Sequence, residues 1–186
     1  MPVSDLGGCW GSVNGGGLRL PDAWMSRIWR GMDNHLAEFV RRHDPDRFLC
    51  ALFAPAERRA ALLALIAFNH ELARAREAAT HPTAALIRLQ WWRDVVEHAA
   101  AGKPARRHEV AAPLHTAITS GALDPHDLTA MADAREAETE EEMPSRAAFD
   151  AYLRGTAGGL AVAAGRLLGA PAEGLPGLQA AGAAYG

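Results

Sequence analysis

The segment NHELARARE, residues 69–77, sets amide, imidazole, carboxylate and guanidinium groups side by side at the end of an apolar run. Helical spacing puts Asn69 and His70 on one face with Leu62, Ile66, Ala73 and Glu77. Two readings fit that face: the polar end of a cavity, or a satisfied pair of buried polar side chains. Arg74 and Arg76 carry planar guanidinium forks that suit phosphate oxygens. On the alternative reading, which we prefer, both arginines are solvated and pair with Glu71 or Glu77. The run Glu138 to Glu142 has the carboxylate density of a cation site, yet such blocks are usually solvated. The eight histidines form no HExxH motif, and Cys9 and Cys50 fit neither a zinc spacing nor a disulfide framework. Arg106, Arg107 and His108 make a basic link with too few charges to hold an anionic membrane surface alone.

Helices must position these groups, and the composition supplies little else. Alanine contributes 40 of 186 residues, while Val, Ile and Thr together contribute 18, which starves any sheet of its preferred residues. The expectation is an all-α domain. Helices are predicted over Asn34 to His43 and Asp46 to Ala54, followed by a long one from Pro55 to about Ala79 that carries the polar segment. Pro82 opens the next, with Ala85, Leu89, Trp92, Val96 and Ala99 as its buried stripe and Gly102 as its stop. Trp92 reads as core, and its neighbours Arg88 and Arg93 as surface or ion-paired. A further helix ends near Gly121, and Asp124 caps another from Pro125 to about Thr139. Ser145 caps a single long helix to Gly169, with the stripe Phe149, Leu153, Thr156, Leu160, Ala163 and Leu167. Gly155, Gly158 and Gly159 inside it cost about 1 kcal/mol each relative to alanine, which points to close helix packing or to room for a ligand.

Residues 1–31 read as a loose Gly- and Trp-containing tail, with Met25 and Met32 as alternative starts, and residues 32–186 as one helical domain. The last helix begins near Gly177 and spaces Leu178, Ala181, Ala184 and Tyr185 like a buried face. That face stops without a helix-stop signal, so the domain is read as C-terminally incomplete. A net charge of −3 gives no basic field, so nucleic acid is not expected as a partner. No signal peptide or membrane span is legible, and a cytoplasmic setting is expected, at most peripheral to the inner face of a membrane.

Four strings, in chain order, carry a resemblance. DPDRFLCALFAPAERRAALLALIAFNHELARAREAATHP, then LIRLQWWRDVVE, then DAREAETEEEMPSRAAFDAYLRGTAGGL and LLGA resemble the squalene/phytoene synthase family from about Asp33 to Gly186. The order of the RLQWWR and YLRGTAGGL boxes is quite specific. The resemblance implies an all-α, isoprenoid-synthase-like helical bundle. It also implies chemistry: head-to-head condensation of two prenyl diphosphates, with Mg²⁺ held by aspartate-rich helix segments against the leaving diphosphate.

One departure redirects that expectation. The family's first acidic motif, DDxxD, falls on Ala73, Arg74 and Glu77, so only Glu77 keeps a carboxylate and is the remaining metal-ligand candidate. Its second aspartate-rich segment would come beyond Gly186. Tyr152 matches the family's active-site tyrosine, which is a catalytic candidate, although a half-buried core tyrosine explains it equally. Asn69, His70, Arg74 and Glu77 are the substrate-binding candidates. The altered segment is most similar to a non-catalytic branch of the superfamily related to a mitochondrial complex I assembly factor. The resemblance therefore implies an accessory or assembly role with residual prenyl diphosphate binding, and a protein partner. The alternatives are an Mg²⁺-dependent prenyltransferase and a helical interaction domain forming a homodimer.

Overall fold

Helix α3, Ala56–Glu77, is the axle of the structure, a computed structural model that describes residues 34–140 and 142–186. Every residue from Ala61 to Phe68 is buried, the pattern of a helix covered on all sides. Around it pack α1 (Asn34–His43), α2 (Pro45–Ala51), α4 (Pro82–Ala100), α5 (Ala111–Thr119) and, later in the chain, α8 (Ala157–Leu168). Helix α6 (Pro125–Ala134) continues as a 3₁₀ turn, Arg135–Thr139, and α7 spans Arg146–Gly155. A second 3₁₀ turn, Ala172–Gly174, leads to α9, Leu175–Tyr185. No strand occurs among the described residues, so the fold is all-α as the composition requires.

Local chemistry explains most boundaries. Asp124 accepts the His126 N–H and Ser145 the Ala148 N–H, each satisfying one of the donors a helix start leaves open. Gly169, at φ 88°, ends α8 in the left-handed conformation that glycine adopts without a Cβ clash. The α4 stripe of Ala85, Leu89, Trp92, Val96 and Ala99 is buried along its whole length.

The single helix expected from Ser145 to Gly169 is two helices. Thr156 departs from helical geometry at ψ −87°. Its hydroxyl donates to the Tyr152 carbonyl at 2.7 Å, a back-bond that bends helices, and glycines on either side weaken the helix further. Phe149, first in the expected stripe, is 41% exposed, whereas Leu160, Ala163 and Leu167 are buried. The glycines serve close approach: a Cβ on Gly155 would lie 2.5 Å from that of Ala134, and one on Gly158 would lie 2.9 Å from the Gln179 carbonyl oxygen. The helix from Pro125 is also shorter than expected, because its last turn tightens at Arg135.

At the end of the chain, Ala181, Ala184 and Tyr185 of the expected buried face are exposed. Gly182 makes the contact instead, with a Cβ there falling 2.6 Å from the Ala157 carbonyl oxygen. The tail expected over residues 1–31, with Met25, lies outside the described residues, and so do Met32 and Cys9. No helix among the described residues is long and apolar enough to cross a membrane.

Candidate functional site

Three elements bring four polar side chains together beside the C-terminal half of α3. The helix itself supplies Asn69, the 3₁₀ turn supplies Arg135 and Glu138, and α7 supplies Tyr152. Side chains three apart eclipse one another in 3₁₀ geometry, so the tightened turn points Arg135 and Glu138 the same way. The Arg135 Nη1 donates to Glu138 Oε1 at 2.6 Å, and the Tyr152 hydroxyl donates to that same oxygen at 2.6 Å. Arg135 also reaches the Tyr152 hydroxyl at 3.3 Å and Asn69 Oδ1 at 3.5 Å. The ion pair is largely shielded, with 12% of the Arg135 side chain and 18% of Glu138 exposed.

Burial and the hydrogen bond to Glu138 push the Tyr152 hydroxyl up to about 12. At neutral pH it is therefore a proton donor held against a carboxylate. A tyrosine whose pKa rises on folding contributes stability that is complete below its ordinary value of 10.0 and is lost as the pH climbs through about 12. The chain has two tyrosines, so a Tyr185→Phe background isolates this one. Absorbance titration there is expected to give a midpoint well above 10, and Glu138→Gln is expected to bring it down. An unmoved midpoint would remove Glu138 as the cause.

The other sequence candidates separate. His70 stacks on His43 with ring centroids 4.5 Å apart and meets Phe39 edge-on at 5.5 Å. Its Nε2 is buried without a hydrogen-bond partner, so Asn69 and His70 are not the satisfied pair that spacing allowed. Burial, together with the facing His43, lowers the His70 pKa and keeps the ring neutral. Arg74 lies on solvent 3.9 Å from Glu71, the pairing expected of it, while Arg76 donates to the Ala79 carbonyl at 3.3 Å. Glu77 is exposed. Arg93, buried beneath Asp133 and Glu136, is ion-paired as expected.

Mg²⁺ does not fit these residues. The place of the acidic motif holds an alanine and an arginine, and the one carboxylate in the cluster already accepts from Arg135 and Tyr152. Among the described residues, no group of three or more His, Cys, Asp or Glu is placed to hold a metal ion. On the same face of α3 as Asn69, Leu62 and Ile66 line an apolar hollow of about 530 Å³, closed opposite by Leu160, Ala164 and Leu168. Polar cluster and apolar hollow thus lie along one side of the axle helix.

Sequence reasoning missed Arg135 and Glu138, because AREAETEEE reads as a solvated acidic block. The available signal was their i, i+3 spacing inside a segment that carries the family resemblance.

A helical bundle with this arrangement defines an isoprenoid-synthase-like protein, and residues 40–186 match the family model described as squalene/phytoene synthase. The chain belongs to the squalene/phytoene synthase family. Among curated proteins it is similar to NADH dehydrogenase (ubiquinone) complex I, assembly factor 6 of Homo sapiens, 33% identical over 122 residues, covering 66% of this chain and 34% of that protein. The Bos taurus protein of the same name is 32% identical over 112 residues, covering 60% and 33%. The Mus musculus protein is 30% identical over 131 residues, covering 70% and 39%. The chain spans about a third of the length of these relatives. No solved structure matches it.

Proposed function

We propose that this chain is a degenerate, non-catalytic member of its family that serves as an accessory or assembly factor for a multisubunit protein complex. One observation carries the reading: two of the three acidic places of the first motif, which would hold Mg²⁺ against diphosphate, are taken by Ala73 and Arg74, and Glu138 is engaged within the chain. Without a cation at that motif, the ionisation that starts the family's reaction loses the electrostatic support the motif supplies to the departing diphosphate. The relatives named as complex I assembly factors support a respiratory NADH dehydrogenase as the kind of complex served. The proposed setting is the cytoplasm, at most at the periphery of a membrane. The apolar hollow supports a compatible second property, residual affinity for a prenyl diphosphate through its hydrocarbon chain.

The test is turnover. Incubated with farnesyl or geranylgeranyl diphosphate and Mg²⁺, the purified chain is expected to release no diphosphate above the blank, and Glu77→Ala is expected to change nothing. Mg²⁺-dependent release that falls in Glu77→Ala would establish an active transferase instead. Co-purification with subunits of a respiratory complex supports the assembly role. A concentration-dependent homodimer indifferent to prenyl ligands would favour an interaction domain.

A further inference from the structure

A second cleft, of about 360 Å³, opens on the other side of α3. One wall is the last turns of that helix, with Glu71, Arg74 and Ala75; the other is Arg88, Trp91 and Trp92 of α4, together with His108. At about 100° per residue, Glu71 and Ala75 are turned well away from Asn69, so this cleft is separate from the cluster around Tyr152.

The walls are rich in donors. Arg88 is exposed and makes no ion pair or hydrogen bond among the described residues. Arg74 is half exposed, with Glu71 at 3.9 Å as its carboxylate partner. Glu71 offsets one of the two guanidinium charges, so the lining stays net positive. The Val110 N–H donates to His108 Nδ1 at 3.1 Å, which puts the ring N–H on Nε2 as a third donor. Trp91 and Trp92, with ring centroids 5.4 and 5.3 Å from that of His108, fix the imidazole in place. Beside the cleft, the Arg106 guanidinium lies over Trp91 at 5.4 Å and pairs with Asp94 at 3.3 Å.

We propose that this cleft binds a phosphate group, carried by a soluble phosphate ester or by a lipid headgroup. Two guanidinium forks and an imidazole N–H offer more donors than the two oxygens of a carboxylate accept, whereas a phosphate presents three or four oxygens and up to two charges. Trp91 supplies an apolar wall for the carbon attached to the ester oxygen. Ile87, 65% exposed and one helical turn before Trp91, continues that wall outward.

Calorimetric titration of the chain with inorganic phosphate and with glycerol 3-phosphate, against chloride at matched ionic strength, tests the soluble source. Co-sedimentation with phosphatidylcholine vesicles, with and without phosphatidylglycerol, tests the lipid source. At least one phosphate-bearing probe is expected to bind, and Arg88→Gln is expected to weaken it about tenfold or more. Arg88 is solvent-exposed, so this variant leaves the core intact. Binding of the soluble esters identifies a phosphate-ester site, and binding confined to phosphatidylglycerol vesicles identifies a headgroup site. No binding in either arm overturns the proposal. So does binding that persists unchanged in both Arg88→Gln and Arg74→Gln, or that chloride reproduces.

Discussion

Trp92→Ala is expected to destabilise the chain by about 3–5 kcal/mol, a large share of the 5–15 kcal/mol that holds a domain folded. The indole is 3% exposed and stands edge-on to Phe68 at 5.6 Å, to Trp91 at 4.7 Å and to His108 at 5.3 Å. Phe68 is itself fully buried on α3, so truncation opens a cavity between two long helices that cannot collapse without moving both. Thermal unfolding followed by circular dichroism is expected to show Tm falling by roughly 6–20 °C for a chain of this size. Trp92→Phe keeps much of the volume and is expected to cost distinctly less. A loss below about 1 kcal/mol in the alanine variant would mean that the indole is not part of the rigid core.

The second large effect is expected at Arg93, and it reaches the site. Its side chain is 11% exposed and donates from Nε to Asp133 at 2.6 Å and from Nη2 to Glu136 at 2.5 Å. Removing a buried ion-pair partner ordinarily costs 3–5 kcal/mol, but both carboxylates are more than half exposed and can rehydrate. A loss of about 1–3 kcal/mol is therefore expected for Arg93→Ala. Arg93→Met keeps most of the stem and separates lost charge from lost packing. Because Glu136 belongs to the turn that carries Arg135 and Glu138, cutting this tie is expected to loosen the bond from Tyr152 to Glu138. The Tyr152 titration, read in the Tyr185→Phe background, should then move down from about 12 towards 10. Lost stability with an unmoved titration would show that Arg93 braces the fold without positioning the turn.

The stripe on α4 is legible in the sequence because it is a local property: five small or apolar residues at helical spacing can face only one core. The caps at Asp124 and Ser145 are legible for the same reason, since the side chain bonds a backbone N–H two or three residues on. The break at Thr156 is hidden, because the apolar period runs straight through it and the cause is a hydroxyl choosing a carbonyl four residues back. Ala73 and Arg74 announce the altered motif from type alone. Glu138 does not, since its role depends on Arg135 and Tyr152 arriving from separate elements. His43 and His70, 27 residues apart, likewise meet only through the packing of α1 on α3.

The pairing of Arg135 with Glu138 has a thermodynamic consequence beyond geometry. Glu138 is an internal competitor, an anion tethered three residues from the cation that a phosphate would otherwise seek. A tether that short corresponds to an effective concentration of about millimolar or higher. An external anion must exceed that concentration, or bind elsewhere with the difference in hand, before it displaces the carboxylate. It must also leave Glu138 and the Tyr152 hydroxyl to find new partners in a half-buried place. The cluster behaves as a site whose ligand is part of the chain, saturated at every concentration of protein.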